Sequence, residues 1–138
     1  MDRYTTLLGR LLIAPIFIIA AIGKIGGYTA TQGWMETMGV PGILLPAVIL
    51  LELGGGLALL FGWQARTAAG LLAGFTIVAA AIFHNNLTDQ IQSLMFMKNL
   101  AIAGGLLFIT AHGAGRLSID ARRQPQPQDN HTRSASLV

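Results

Sequence analysis

Apolar residues along this chain gather into four long runs, at residues 7–26, 43–63, 67–84 and 94–112, separated by short polar stretches. Crossing a hydrocarbon core takes ~20 residues at ~1.5 Å rise each, and each run supplies about that length. The pattern predicts four spanning helices. Pro15 sits about two turns into the first run, where neighbouring helices of a bundle can absorb the lost hydrogen bond. Pro46 falls in the first turn of the second, where a missing N–H matters least. The connection over 27–42 holds Tyr28, Gln32, Trp34 and Glu36 and ends at Val40-Pro41-Gly42; Trp and Tyr there belong at headgroup level. Residues 64–66 form a very short link, and 85–93 a polar loop. From Gly113 the chain turns polar, and Gln124-Pro125-Gln126-Pro127-Gln128 opens a tail expected to be disordered. The reading is an all-α, integral membrane four-helix transmembrane bundle over residues 1–121, with a cytoplasmic tail over 122–138. A cleaved secretory signal is rejected for the first run, because no small-x-small site closes it and three more apolar runs follow.

Positive charge orients the bundle. Four spans put both termini and the 64–66 link on one side, which holds Arg3, Arg66, Arg116, Arg122, Arg123 and Arg133. The two loops on the other side carry no Lys or Arg between Gly26 and Ile43, or between Asn85 and Met97. The positive-inside rule then gives N-in and C-in, and a multi-pass protein of the bacterial cytoplasmic (inner) membrane. Arg10, just inside the membrane at the basic face, is expected to snorkel to the headgroups.

Composition agrees with the pattern. Hydrophobic residues make up 53% of the chain and charged ones 11%, against about 25% charged in an ordinary soluble domain. The net charge of +3 is scattered over helix ends and the tail rather than clustered on one face, so nucleic acid is not expected as a partner. There is no Cys, which excludes thiol relays and thiolate-ligated metal centres. Any redox chemistry must be carried by a bound cofactor or a partner subunit. His84 lies at one end of the spans, with His112 and His131 at the other, so no metal site is expected within one chain.

The second run is as apolar as a bilayer interior except for Glu52, followed at once by Gly54, Gly55 and Gly56. A carboxyl at mid-depth costs roughly 2.5–3.5 kcal/mol on insertion scales and needs a partner or a polar pocket. Every Cβ leans toward its own helix N-terminus. Glu52, roughly 14 Å below the outer edge, therefore leans outward. Lys24 and His84, at the outer ends of the first and third spans, lean inward toward it. Lys24 ranks first as its partner, His84 second and Lys98 third. Small residues stand one turn from each: Ala20 and Ala21 from Lys24, Gly55 and Gly56 from Glu52, Ala80 and Ala81 from His84, Ala101 from Lys98. Lys24, Glu52, His84, Lys98 and Asn99 are thus the candidate ligand-binding residues. The plainer readings are a structural ion pair, snorkelling lysines, an interfacial His and a packing Asn. Gly23 with Gly27, and Gly70 with Gly74, are small-xxx-small pairs that predict close helix packing.

In order along the chain, Gly23-Lys24, Glu52-Leu53-Gly54-Gly55, Phe61-Gly62, and Lys98-Asn99 followed by Gly104-Gly105-Leu106-Leu107 resemble the DoxX family over residues 7–121. The resemblance implies a small four-helix bacterial membrane protein associated with oxidoreductase or oxidative-stress systems; some relatives are subunits of a thiosulfate:quinone oxidoreductase. It carries over no catalytic residues. The leading expectation is a membrane subunit of a redox system, with an outer-leaflet polar pocket for a quinone or small anion. Its partners would be the bilayer and another subunit or further copies of itself. The competing expectation is a structural or assembly subunit without chemistry. A solute transporter fits less well, because no inverted repeat or broken helix pair is visible beyond the two prolines.

Overall fold

A computed structural model describes residues 2–123. In chain order the helices are α1 (Arg3–Gly26), α2 (Tyr28–Thr37), α3 (Leu45–Phe61), α4 (Ala65–Phe83), α5 (Gln90–His112) and α6 (Ile119–Arg123), and a 3-10 turn at Gly42–Leu44 leads into α3. Four of them, α1, α3 with its leading turn, α4 and α5, are long and apolar enough to cross a membrane. No strand occurs among the described residues. The four predicted spans are present, and α1 continues through Pro15. Two short helices were not anticipated. One is α2, which occupies most of the connection read as a loop. The other is α6, which takes in Arg122 and Arg123 from the start of the expected tail; the rest of that tail, Arg133 included, lies outside the described residues.

The bundle is built as two packed pairs, α1 on α3 and α4 on α5, joined through α3 and α4. Its core is thin and rich in alanine: Ala65, Ala68, Ala69, Leu72 and Ala73 of α4 meet Ala14 and Phe17 of α1, Leu59 of α3 and Leu106 of α5. Large apolar side chains point outward instead, with Ile43, Leu50, Leu12 and Phe108 all well exposed. That inside-out distribution suits a lipid surround, where apolar side chains face acyl chains and small ones let helices approach. Within the glycine triplet, the three faces diverge. A Cβ on Gly56 would lie 2.8 Å from Ile18 Cγ1 of α1, and one on Gly55 would lie 2.9 Å from Leu72 of α4, whereas Gly54 meets nothing within 4 Å. The spaced glycine pairs are looser: Gly23 and Gly74 face open space, and a Cβ on Gly70 would stand 3.7 Å from Thr110 of α5.

The end of the bundle that carries the start of α1 and the end of α5 is tied by two side chains. Arg10 does not snorkel. It is 1% exposed, and its Nη1 donates to Leu59 O at 2.9 Å and Leu60 O at 3.2 Å while Nη2 donates to Leu117 O. The last carbonyls of a helix have no intrahelical partner and carry the negative end of its dipole. Those at the end of α3 lie within reach of Arg10, and they take its guanidinium. Asp120 accepts from Gln64 N at 2.7 Å and Ala65 N at 2.9 Å, satisfying orphan N–H groups where α4 begins, and its own N–H donates to Gly62 O at 2.9 Å. Gly62 adopts φ +70° with Arg10 and Ser118 packed against it, a place that only glycine fills without strain.

Candidate functional site

At the opposite end, a cavity of about 420 Å³ lies between the two helix pairs. Lys24, Glu52, His84, Lys98 and Asn99 all line it. Four different helices or helix ends supply them: α1, α3, the cap of α4, and α5. The remaining wall is mostly apolar, from Phe17, Val48, Phe75, Ile82 and Ile102.

The expected ion pair forms. Lys24 Nζ donates to Glu52 Oε2 at 2.9 Å and to Oε1 at 3.1 Å, so one ammonium serves both carboxylate oxygens. The Glu52 side chain is 5% exposed and that of Lys24 27%, so the acid is the deeper partner. Helix geometry brings them together as the Cβ directions require: α1 and α3 run antiparallel, and each side chain leans toward the other's level. Among the described residues this is the only salt bridge.

The other candidates stand around the pair in different ways. His84 caps the C-terminus of α4, and its Nδ1 lies 2.8 Å from Gln92 Oε1 of α5. Lys98 is exposed at the rim with Nζ 3.3 Å from Met95 Sδ, while Asn99 is half-buried in the wall. No group of three or more His, Asp or Glu is assembled to hold a metal among the described residues.

Three contributors to the wall were not expected there from the sequence, which put Trp34 at headgroup level. Thr76, 5% exposed in the middle of α4, adds a hydroxyl-bearing side chain to the wall. It lies two turns before His84, so the spacing Thr76, Ala80, His84 was a usable signal of a polar stripe on that helix. Trp34 and Met35 of α2 also line the cavity. The Trp34 ring stacks on Phe83 with centroids 4.5 Å apart, and Gln32 Nε2 donates to Gly42 O at 3.2 Å, so α2 lies over the mouth and is fastened on both sides. Apolar walls with a few convergent polar groups, in a volume of several hundred Å³, are the usual make-up of a small-molecule pocket. Here the polar groups comprise a proton acceptor, two ammonium donors, an imidazole and an amide.

Comparison with known proteins places this architecture. The DoxX family profile matches residues 5–85, a stretch that includes Lys24, Glu52 and His84. The chain is 55% identical over 120 residues to inner membrane protein YqjF of Escherichia coli (strain K12), covering 87% of this chain and 92% of that protein. It is 30% identical over 123 residues to inner membrane protein YphA of the same organism, covering 84% and 88% respectively. ER-derived vesicles protein ERV29 of Saccharomyces cerevisiae is 27% identical over 126 residues, which span 88% of this chain but 34% of that longer protein. No solved structure matches the chain. With four membrane-length helices and relatives named for the inner membrane at both levels of identity, this is a multi-pass bacterial inner membrane protein, and it belongs to the DoxX family.

Proposed function

We propose that the chain is a membrane subunit of a redox system whose cavity takes the head group of a quinone. The observation that carries this is the Lys24–Glu52 pair set in the wall of an otherwise apolar cavity of about 420 Å³. Of the two ligand classes suggested by the sequence, the walls favour the quinone. A small anion would leave most of that volume unfilled and would face apolar side chains that offer it no hydrogen bonds. A quinone head is a flat apolar ring with a carbonyl at each end, which suits apolar walls and a few donors. Lys24 and Asn99 can donate to a carbonyl oxygen, and Glu52 can hold or release the proton that accompanies reduction. The lysines stabilise negative charge developing on the head group. With no cysteine in the chain, the electrons come from a bound cofactor or a partner subunit. Under the orientation read from arginine placement, the cavity opens in the outer half of the bilayer.

Trp34 supplies the test, because it lines the cavity. In a Trp63→Phe background, titration with a short-chain ubiquinone analogue in mild detergent should quench Trp34 fluorescence saturably. Lys24→Met/Glu52→Leu removes the ammonium donor without stranding the carboxylate and should weaken the apparent affinity by roughly 10–100-fold, the worth of a hydrogen bond from a charged group. Absence of saturable quenching in the parent protein, or equal affinity in the double variant, would overturn the reading.

A second reading rests on the same pair: Lys24 and Glu52 satisfy each other and join α1 to α3. In that case the chain is an assembly subunit. A Lys24→Leu/Glu52→Leu variant would then still co-purify with the same partner protein in the same proportion.

A further inference from the structure

A second cavity, of about 180 Å³, lies between α1 and α5 near the basic end of the bundle, away from the Lys24–Glu52 pair. It exists because α1 and α5 are not packed along their length, and because Gly9 faces the gap with no side chain; a Cβ there would meet nothing within 4 Å. One part of its lining is apolar, from Ile13, Phe108 and Ile109. The other is polar, from Thr6, Arg10 and His112.

Arg10 gives this groove its chemistry. It is 1% exposed, its Nη atoms are spent on neutral carbonyls, and Nε has no partner among the described residues. No carboxylate forms a salt bridge with it. Asp120, at the same end, is committed to the N–H groups of Gln64 and Ala65. A positive charge is therefore held out of water, balanced by the helix-end and loop carbonyls it bonds and, at longer range, by the carboxylate of Asp120. The surrounding surface adds to it, since Arg3, Arg66, Arg116, Arg122 and Arg123 lie at this end against Asp2 and Asp120. Arg10 stands ~10 Å along α1 from its first residue, near the level where headgroups give way to acyl chains.

We propose that this groove binds an anionic phospholipid, with its phosphate held in the field of Arg10 and one acyl chain lying along Ile13 and Phe108. Charge complementarity selects the anion and the apolar wall selects the tail, so free phosphate satisfies half of the site. The proposal is independent of what the larger cavity takes.

The test is lipid retention. The full chain is reconstituted in vesicles with equal phosphatidylglycerol and phosphatidylcholine, extracted gently, and weighed by native mass spectrometry. Phosphatidylglycerol should stay bound in several-fold excess over phosphatidylcholine. Gly9→Leu fills the groove from a position where a Cβ meets nothing within 4 Å and replaces glycine by a better helix former, so it should keep its melting temperature and lose the bound lipid. Glu52→Gln should retain the lipid as the parent does. Equal retention of the two lipids, or undiminished phosphatidylglycerol on Gly9→Leu, would overturn the proposal. So would inorganic phosphate that raises the melting temperature as much as the lipid does.

Discussion

Lys24 Nζ sits within hydrogen-bond distance of both oxygens of Glu52, at 2.9 and 3.1 Å, across the interface of α1 and α3. Glu52, the deeper of the two, is not tolerable in this setting without Lys24. Lys24→Met should therefore strand a nearly buried carboxylate. Removing one partner of a buried pair costs about 3–5 kcal/mol, and the partial exposure of Lys24 puts the expected loss at the lower end. The double variant Lys24→Met/Glu52→Leu should recover most of that loss. Unfolding by titrated SDS in mixed micelles reads both, and a double variant as unstable as the single one would contradict the account.

The glycine triplet offers an internal control. Gly56→Ala forces its Cβ into Ile18 and the α1 backbone and should destabilise by about 1–3 kcal/mol, as overpacking does. Gly54→Ala adds the same methyl toward open space and should be neutral, or stabilising by up to about 1 kcal/mol. The same unfolding assay should separate them, with Gly56→Ala the less stable.

Arg10→Lys keeps the charge and should still fail. A guanidinium spans carbonyls of Leu59, Leu60 and Leu117, on two segments, whereas an ammonium on a thinner head cannot reach both with the same geometry. Hydrogen bonds involving a charged group are worth about 1.5–3 kcal/mol, so a loss of that order is expected. A melting temperature equal to that of the parent would show that charge alone holds this end together.

Asp120→Ala removes the cap from α4. The expected cost is about 1 kcal/mol, within the range for N-cap substitutions, together with faster amide exchange at Gln64 and Ala65. Hydrogen-exchange mass spectrometry over the 62–66 turn checks it, and unchanged exchange there would count against the cap.

Trp34→Ala should loosen α2 rather than the bundle. The ring stack with Phe83 is worth about 0.5–1.5 kcal/mol, and α2 has few other ties to the rest of the fold. Exchange should rise within Tyr28–Thr37 and stay unchanged in α4. Equal exchange in both would mean that the stack fastens nothing.

The spans were legible because a lipid setting writes them directly into the sequence as apolar length. The Lys24–Glu52 pair was legible because helix polarity fixes which way each side chain leans. Arg10 was misread for a related reason. Its lean toward the nearest membrane face is real, but the unsatisfied carbonyls ending α3 intervene; a cation one to two turns inside a span, level with another helix's C-terminus, was the available clue. Nothing local could reveal Asp120, whose partners lie some fifty-five residues earlier in the chain. In α2, the apolar positions are too few to mark a face, and its place is set by Trp34 and Met35 meeting α4 and the body of the bundle.

The carboxylate of Asp120 has a bearing on how the molecule is made. Chain synthesis delivers the turn at Gly62 and the start of α4 well before it delivers residue 120. Until then, the N–H groups of Gln64 and Ala65 have only water or headgroups to bond, and Arg10 lacks the carbonyl of Leu117. The first helices to enter the bilayer therefore wait for the segment after the last one, and a ribosome stalled between these points would leave an inserted bundle with its basic end unfastened.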